Sequence, residues 1–406
     1  MNDGSVPGPA PPAPAAAPAA TGRRSPNAPS ADRSPLTPFL GTKLRLLTWI
    51  AVVAVVWVHA YNLGSRARLG ENAPDMSGAP GAAGFVQYLV SQALARWPAA
   101  LLFAISGFLF FRTLVPATDQ FLAKYRRRAR TLAVPFLLWS AWGVALYVTL
   151  HALPLDSGYV SPGALERLTP AALLEMLLVR PVAYPLWFLQ ALLFCVLVSP
   201  LLWALVRFVQ VAALLPFAAL WLSNVGVGGS NYVNFKALLF FTLGALIAVR
   251  LREGRWVPLT GLGAAERSQA LGRFLLPSFV LAALLFTWLL RAETAWWAGG
   301  LHKALMCFAV AALWFGYDAY LAPLARRPAV MWAAGFSFFV YAAHEPPLMI
   351  AKRVLMRWAG GPAAGDAAVV LVYFAAPLVT IAACLVAGWA LRRWARPAYA
   401  LMTGRR

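Results

Sequence analysis

The sequence predicts an all-α, polytopic membrane protein with about ten transmembrane helices and both termini in the cytoplasm. Three observations predict it. Hydrophobic residues make up 61% of the 406-residue chain and charged residues only 12%, against about 25% charged in a typical soluble domain. Several apolar runs reach the roughly 20 residues that a helix needs to cross a bilayer. Lys and Arg fall between these runs with a one-sided bias, as the positive-inside rule requires.

Residues 1–40 are dominated by Pro, Ala and Ser. Such a segment buries no core and reads as a disordered cytoplasmic tail; it lacks the basic-then-apolar start of a secretory signal. The transmembrane domain is expected over 41–395, with spans at 44–63, 98–115, 132–152, 186–206, 208–223, 232–249, 274–290, 301–322, 330–351 and 367–391. The first span carries the run "IAVVAVVWVHAYN". The fourth and fifth are joined tightly around Arg207, and the ninth is interrupted by Pro346 and Pro347. Segments 84–97 and 163–180 read as short amphipathic helices at the membrane surface, and 396–406 as a basic cytoplasmic tail. With the N-terminus inside, 24 of the 35 Lys and Arg lie on the cytoplasmic side, including "KYRRRAR" at 124–130. The exception is "KRVLMR" at 352–357, which this topology puts outside.

The net charge of +21 would suggest nucleic acid in a soluble protein. Here the basic residues flank hydrophobic spans without a nucleic-acid motif, so their partner is the anionic lipid surface. Cys195, Cys307 and Cys384 lie inside apolar runs without a CxxC pair, which points to core packing rather than a disulfide framework or a metal site.

The chemistry-bearing candidates are ionisable groups where ionisable groups are costly. At about 1.5 Å per residue, His59 lies roughly 22 Å from the start of its span. His344, in "FSFFVYAAHEPPLMIAKR", is about as deep in the ninth span, so the topology puts both histidines at one level. Either imidazole suits general-base chemistry. Pro346 and Pro347 break the helix beside Glu345 and leave backbone groups that protein or water has to satisfy, so a polar opening is expected there. Arg127 and Arg130 lie three apart, on one helical face if the loop continues into the third span. They read as a topology anchor and as a phosphate site for acyl-CoA. Arg45 stands at the inner end of the first span. Ser106 and Gly107 suggest close helix packing, Tyr184 and Trp187 an interfacial aromatic belt, and Gln190 a polar group one turn deeper.

Taken in order, Arg45 and His59, "ISGFLFF", "RRRARTLAVPFLLW", "PLWFLQALLFCVLVSPLL" and "FSFFVYAAHEPPLMI" resemble the membrane acyltransferase-3 family, in the branch without a fused periplasmic hydrolase-like domain. The resemblance covers about residues 40–395. It implies transfer of an acyl group, acetyl or succinyl, from cytoplasmic acyl-CoA to a hydroxyl of a carbohydrate or other extracytoplasmic acceptor. It also implies an integral protein of the bacterial inner membrane, with no permanently bound cofactor and no metal. It maps the family's first-span histidine onto His59 and its basic motif onto Arg127 and Arg130. Its "SGFL" and "WFL" segments fall on Ser106–Leu109 and Trp187–Leu189, and its late motif on Tyr341, His344 and Pro346. His59, His344 and Glu345 are then the catalytic candidates, with the choice of base open between the histidines. Arg127, Arg130 and Arg45 are the donor-binding candidates, and Ser106, Trp187, Gln190 and Tyr341 line the substrate. Thr48 stands where the family carries an arginine, with Arg45 one turn earlier. The alternative is a transporter or flippase for a lipid-linked or small anionic substrate, which also uses intramembrane histidines and a proline break.

Overall fold

The computed structural model describes residue 1 and residues 36–61, 81–114, 117–152, 169–225, 231–253, 266–290, 297–361 and 364–405. Among them there is no strand. An apolar chain has to satisfy its own N–H and C=O groups, and a helix does so within one segment. The tail expected over 1–40 falls outside the described residues except at its ends, and Pro38 already begins a helix.

Helix α1 (Pro38–Ala60) starts at Thr37, whose hydroxyl accepts from the Leu40 N–H at 3.2 Å. Pro38 follows at the first position, where its missing N–H costs nothing. Helix α2 (Gly81–Tyr88) runs through a π-helical turn (Leu89–Leu94) towards α3 (Pro98–Phe111), and the three form one 31-residue apolar unit. Segment 84–97 is therefore not a separate surface helix. Its polar residues Gln87, Ser91 and Gln92 are buried. Ser91 Oγ donates to the Trp57 carbonyl at 2.5 Å and lies 2.7 Å from Tyr373 Oη, so what reads as a water-facing stripe is used between helices.

Helix α4 (Thr118–Arg128) continues through a second π-helical turn (Ala129–Ala133) into α5 (Val134–Ala152). Helix α6 (Pro170–Leu178) buries none of its residues, in keeping with a surface position. Next come α7 (Trp187–Leu197) and α8 (Ser199–Phe208), bent by 62° against each other, and the short α9 (Leu215–Leu222). They are followed by α10 (Phe235–Arg252), α11 (Glu266–Leu289) and α12 (Ala298–Gly316), the last extended by a third π-helical turn (Tyr317–Leu321). The chain closes with α13 (Pro328–Ala334), α14 (Ser337–Ala343), α15 (Pro347–Trp358), α16 (Asp366–Trp394) and α17 (Arg396–Met402).

Six of these helical units are long and apolar enough to cross a membrane, or seven if the bent α7–α8 pair is one span. The other expected spans differ for local reasons. Segment 208–223 is mainly a 3₁₀ turn and the short α9, 232–249 is helical only from Phe235, in an 18-residue helix that carries Lys236, Arg250 and Arg252, and 330–351 is divided among α13, α14 and α15. The stretch 396–406, expected as a basic cytoplasmic tail, begins as a docked helix. Tyr399 is buried, its ring stacked 5.8 Å from Phe339, and the Met402 carbonyl accepts from Trp139 Nε1 at 2.9 Å.

Two contacts set the helix arrangement. At the α3–α10 crossing, a Cβ on Gly107 would overlap the Phe241 carbonyl and one on Gly244 would overlap the Ala104 carbonyl. The small residues let the two backbones touch. At the start of α1, Lys43 Nζ pairs with Asp318 at 2.8 Å with both side chains fully buried. Ser268 also donates to this carboxylate, and Trp314 lies 4.4 Å from the ammonium. The pair ties α1 to the turn after α12, and Ser268 brings α11 to the same carboxylate.

Gly244→Ala is expected to cost about 1–3 kcal/mol by overpacking. Gly299→Ala, where an added Cβ meets nothing within 4 Å, is the control, and thermal unfolding in one detergent compares them. In the same assay Lys43→Met leaves a buried carboxylate unpaired and is expected to cost about 3–5 kcal/mol. Lys43→Met/Asp318→Leu is expected to recover most of that loss.

Candidate active site

The site grows from the break in the ninth expected span. Pro346 and Pro347 bring no N–H, so α14 stops at Ala343 and α15 restarts at Pro347. His344 occupies the break. Its Nδ1 lies 2.7 Å from the Tyr341 carbonyl and 3.2 Å from the Val340 carbonyl. Carbonyls only accept, so Nδ1 carries the proton and the neutral ring keeps its lone pair on Nε2. That Nε2 is buried without a hydrogen-bond partner. The ring of His59, near the end of α1, is centred 5.3 Å away, and that of Tyr184 is 5.8 Å beyond His59. The two histidines expected at one depth are thus neighbours.

What holds α1 at this level is Lys352 of α15. It is 8% exposed, and its Nζ donates to the Tyr61 carbonyl at 2.9 Å and the His59 carbonyl at 3.4 Å. A cation on the last carbonyls of a helix is favoured by both hydrogen bonding and the helix dipole. The start of "KRVLMR", an exception to the charge rule, therefore has a structural role: it caps the histidine helix.

Two cavities meet at this point. A histidine chamber of about 320 Å³ is walled by His59, Arg96, Tyr184, Trp187, Lys236 and His302 among others. An arginine chamber of about 330 Å³ is walled by Thr48, Ser106, Arg128 and apolar neighbours. Leu102, Phe188 and Tyr341 belong to both walls. Along α1 the lining passes from Thr48 to His59, about 16 Å at helical rise, and along α3 it passes the opposite way from Pro98 to Leu109. The chambers are therefore stacked end to end between α1 and α3, with His59 in one and Arg128 in the other.

The remaining sequence candidates divide. Ser106, Trp187 and Tyr341 line the chambers. The Tyr341 hydroxyl donates to the Pro185 carbonyl and so holds the turn that carries Tyr184. Arg127 and Arg130 are exposed, while Arg128 between them reaches the arginine chamber. Arg45 donates to the Met331 carbonyl at 2.8 Å and tethers α13, and it is Thr48 that faces the arginine chamber. The Gln190 amide is engaged with the carbonyls of Leu178 and Val179 at 2.8 and 3.0 Å, where it closes the end of α6. Glu345 is in neither wall and lies in the field of the Lys352 ammonium. Among the described residues no group of three or more His, Cys, Asp or Glu is placed to hold a metal ion.

Sequence reasoning missed Arg96, Arg128, Lys236 and His302. Arg128 is hidden by its basic neighbours, and Lys236 and His302 read as ordinary residues at span edges. His302 Nε2 is 2.8 Å from the Gln92 carbonyl, and its ring stacks on Phe286 at 5.8 Å. No local signal marks these groups, because only helix packing brings them to one cavity.

The sequence profile of the acyltransferase domain matches residues 43–389. The succinoglycan biosynthesis protein ExoH of Rhizobium meliloti (strain 1021) is 28% identical over 378 residues, covering 90% of this chain and 93% of that protein. No solved structure matches. A profile match that runs from α1 to α16 makes the assignment: the chain belongs to the membrane acyltransferase-3 family.

Proposed function

We propose that the chain is an O-acyltransferase that moves an acyl group, acetyl or succinyl, from acyl-CoA to a hydroxyl of a carbohydrate acceptor. The observation that carries this reading is the pair of stacked chambers with His59 at their far end. The arginine chamber receives the donor from the cytoplasm, with Arg128 at the phosphate end and the exposed Arg127 and Arg130 as its approach. The acceptor enters the histidine chamber from the other side of a bacterial inner membrane. In this reading the chain crosses the membrane ten times, with the broken and short helices counted as spans and both termini cytoplasmic. The name of the related protein supports a polysaccharide acceptor.

Of the two histidines, His59 is the general base, because it lines a chamber while His344 is wholly buried behind it. His59 takes the proton from the acceptor hydroxyl as that oxygen bonds to the thioester carbonyl carbon. The tetrahedral intermediate collapses, the C–S bond breaks, and the imidazolium returns the proton to the departing thiolate. Ester and free CoA thiol account for every atom. His344 is a positioning residue: its ring, pinned by the bonds at Nδ1, lies 5.3 Å from the ring that does the work.

With purified protein, labelled acyl-CoA and a glycan acceptor, His59→Ala is expected to lower kcat/KM by about 10²–10⁴-fold. His344→Gln is expected to lower kcat with little change in KM, and full retention of kcat would leave it a packing residue. Arg128→Ala is expected to raise KM for acyl-CoA about tenfold, more than Arg127→Ala or Arg130→Ala. The opposite order would move the donor out of the arginine chamber.

A further inference from the structure

The histidine chamber has a charge pattern that general-base chemistry does not require. Arg96, Lys236 and His302 share its wall with His59, and none of its described lining residues is acidic. Among the described residues Lys236 makes no ion pair; its ammonium lies 5.1 Å from the Trp187 ring. Its place is costly for a cation. It stands in the first turn of α10, whose cap is Asn234 (side chain to the Ala237 N–H at 3.0 Å) and which has no acidic residue there. The positive end of a helix dipole disfavours a lysine and favours an anion. Asn231 and Asn234 add amides to the same wall.

Taken together, a guanidinium, an ammonium, an imidazole and a helix N-terminus line a cavity of about 320 Å³ beside the proposed base. We propose that this wall is an anion subsite: the substrate portion held in the histidine chamber carries a carboxylate or phosphate, and Lys236 binds it. The anion enters on one of two reactants. It is either the distal end of a dicarboxylic acyl group or an acidic group on the acceptor. Both supply the same chemistry to the wall, oxygen acceptors for charged donors. The inference rests on the acyl-transfer reading above and adds the charge of the substrate to it.

The test is a ratio. Transfer is measured with acetyl-CoA and with succinyl-CoA on a neutral glycan, and with acetyl-CoA on a uronic-acid-containing glycan. For each protein, kcat/KM with a charged substrate is divided by its value with acetyl-CoA and the neutral glycan. Lys236→Gln is expected to lower that ratio about tenfold or more, the worth of a hydrogen bond to a charged group, and Lys236→Arg to restore much of it. A fall with succinyl-CoA alone assigns the anion to the acyl group, and a fall with the acidic glycan alone assigns it to the acceptor. A ratio unchanged for both overturns the subsite. Asn231→Asp puts a carboxylate on the same wall and is expected to lower the ratio too, which keeps the test open if Lys236→Gln does not fold. Retained activity in His59→Ala would instead sink the assignment of the base while leaving the ratio readable.

Discussion

Two buried lysines at the ends of one helix set the geometry on which the rest depends. An ammonium in an apolar interior has to find oxygen, and each finds it on a different element. Lys43 takes the Asp318 carboxylate near the start of α1, and Lys352 takes the last carbonyls at its end. Breaking either contact leaves a charge or a set of carbonyls without water to turn to. Between these two points α1 contacts α3, α13, α14, α15 and α16. Its lengthwise position is therefore defined, and with it the level of His59 against the proline break.

The same use of basic side chains recurs through the fold. Lys303 donates to the carbonyls of Trp221 and Leu222 at the end of α9, Lys124 to the Phe110 carbonyl at the end of α3, and Arg45 to the Met331 carbonyl in α13. Helix C-termini present carbonyls that have no partner within the helix, and a cation satisfies them while it complements the dipole. Part of the large positive charge of the chain is thus spent inside the structure, in addition to the bias that orients membrane loops. Arg96, Arg128, Lys236 and His302 also reach cavity walls.

The histidine pair unites these local solutions. The proline break frees the backbone around Tyr341, and the freed carbonyl fixes the His344 tautomer. The Tyr341 ring then divides the two chambers while its hydroxyl holds the Tyr184 turn. One short segment therefore supplies a buried lone pair, a partition and a brace. The Gly107–Gly244 crossing brings α10 against α3, so that Lys236 at the start of α10 reaches the chamber.

The all-helical class, the family, the His59–His344 level and the proline break were legible in the sequence. Each is a property of one segment: apolar runs have to be helical in hydrocarbon, prolines lack an N–H, and helical rise converts residue number to depth. Packing decided the rest. Periodicity could not tell that the polar face of 84–97 turns inward, because a buried polar stripe and a wetted one have the same spacing. Nor could it choose Arg128 over Arg127 and Arg130, since the facing of one residue in a basic run depends on which neighbour the helix meets. Lys236 and His302 are far apart in the chain and from His59, and Gln190 has the same amide whether it meets a substrate or the end of α6. Such assignments depend on contacts between distant segments, and those contacts exist only once the helices have docked.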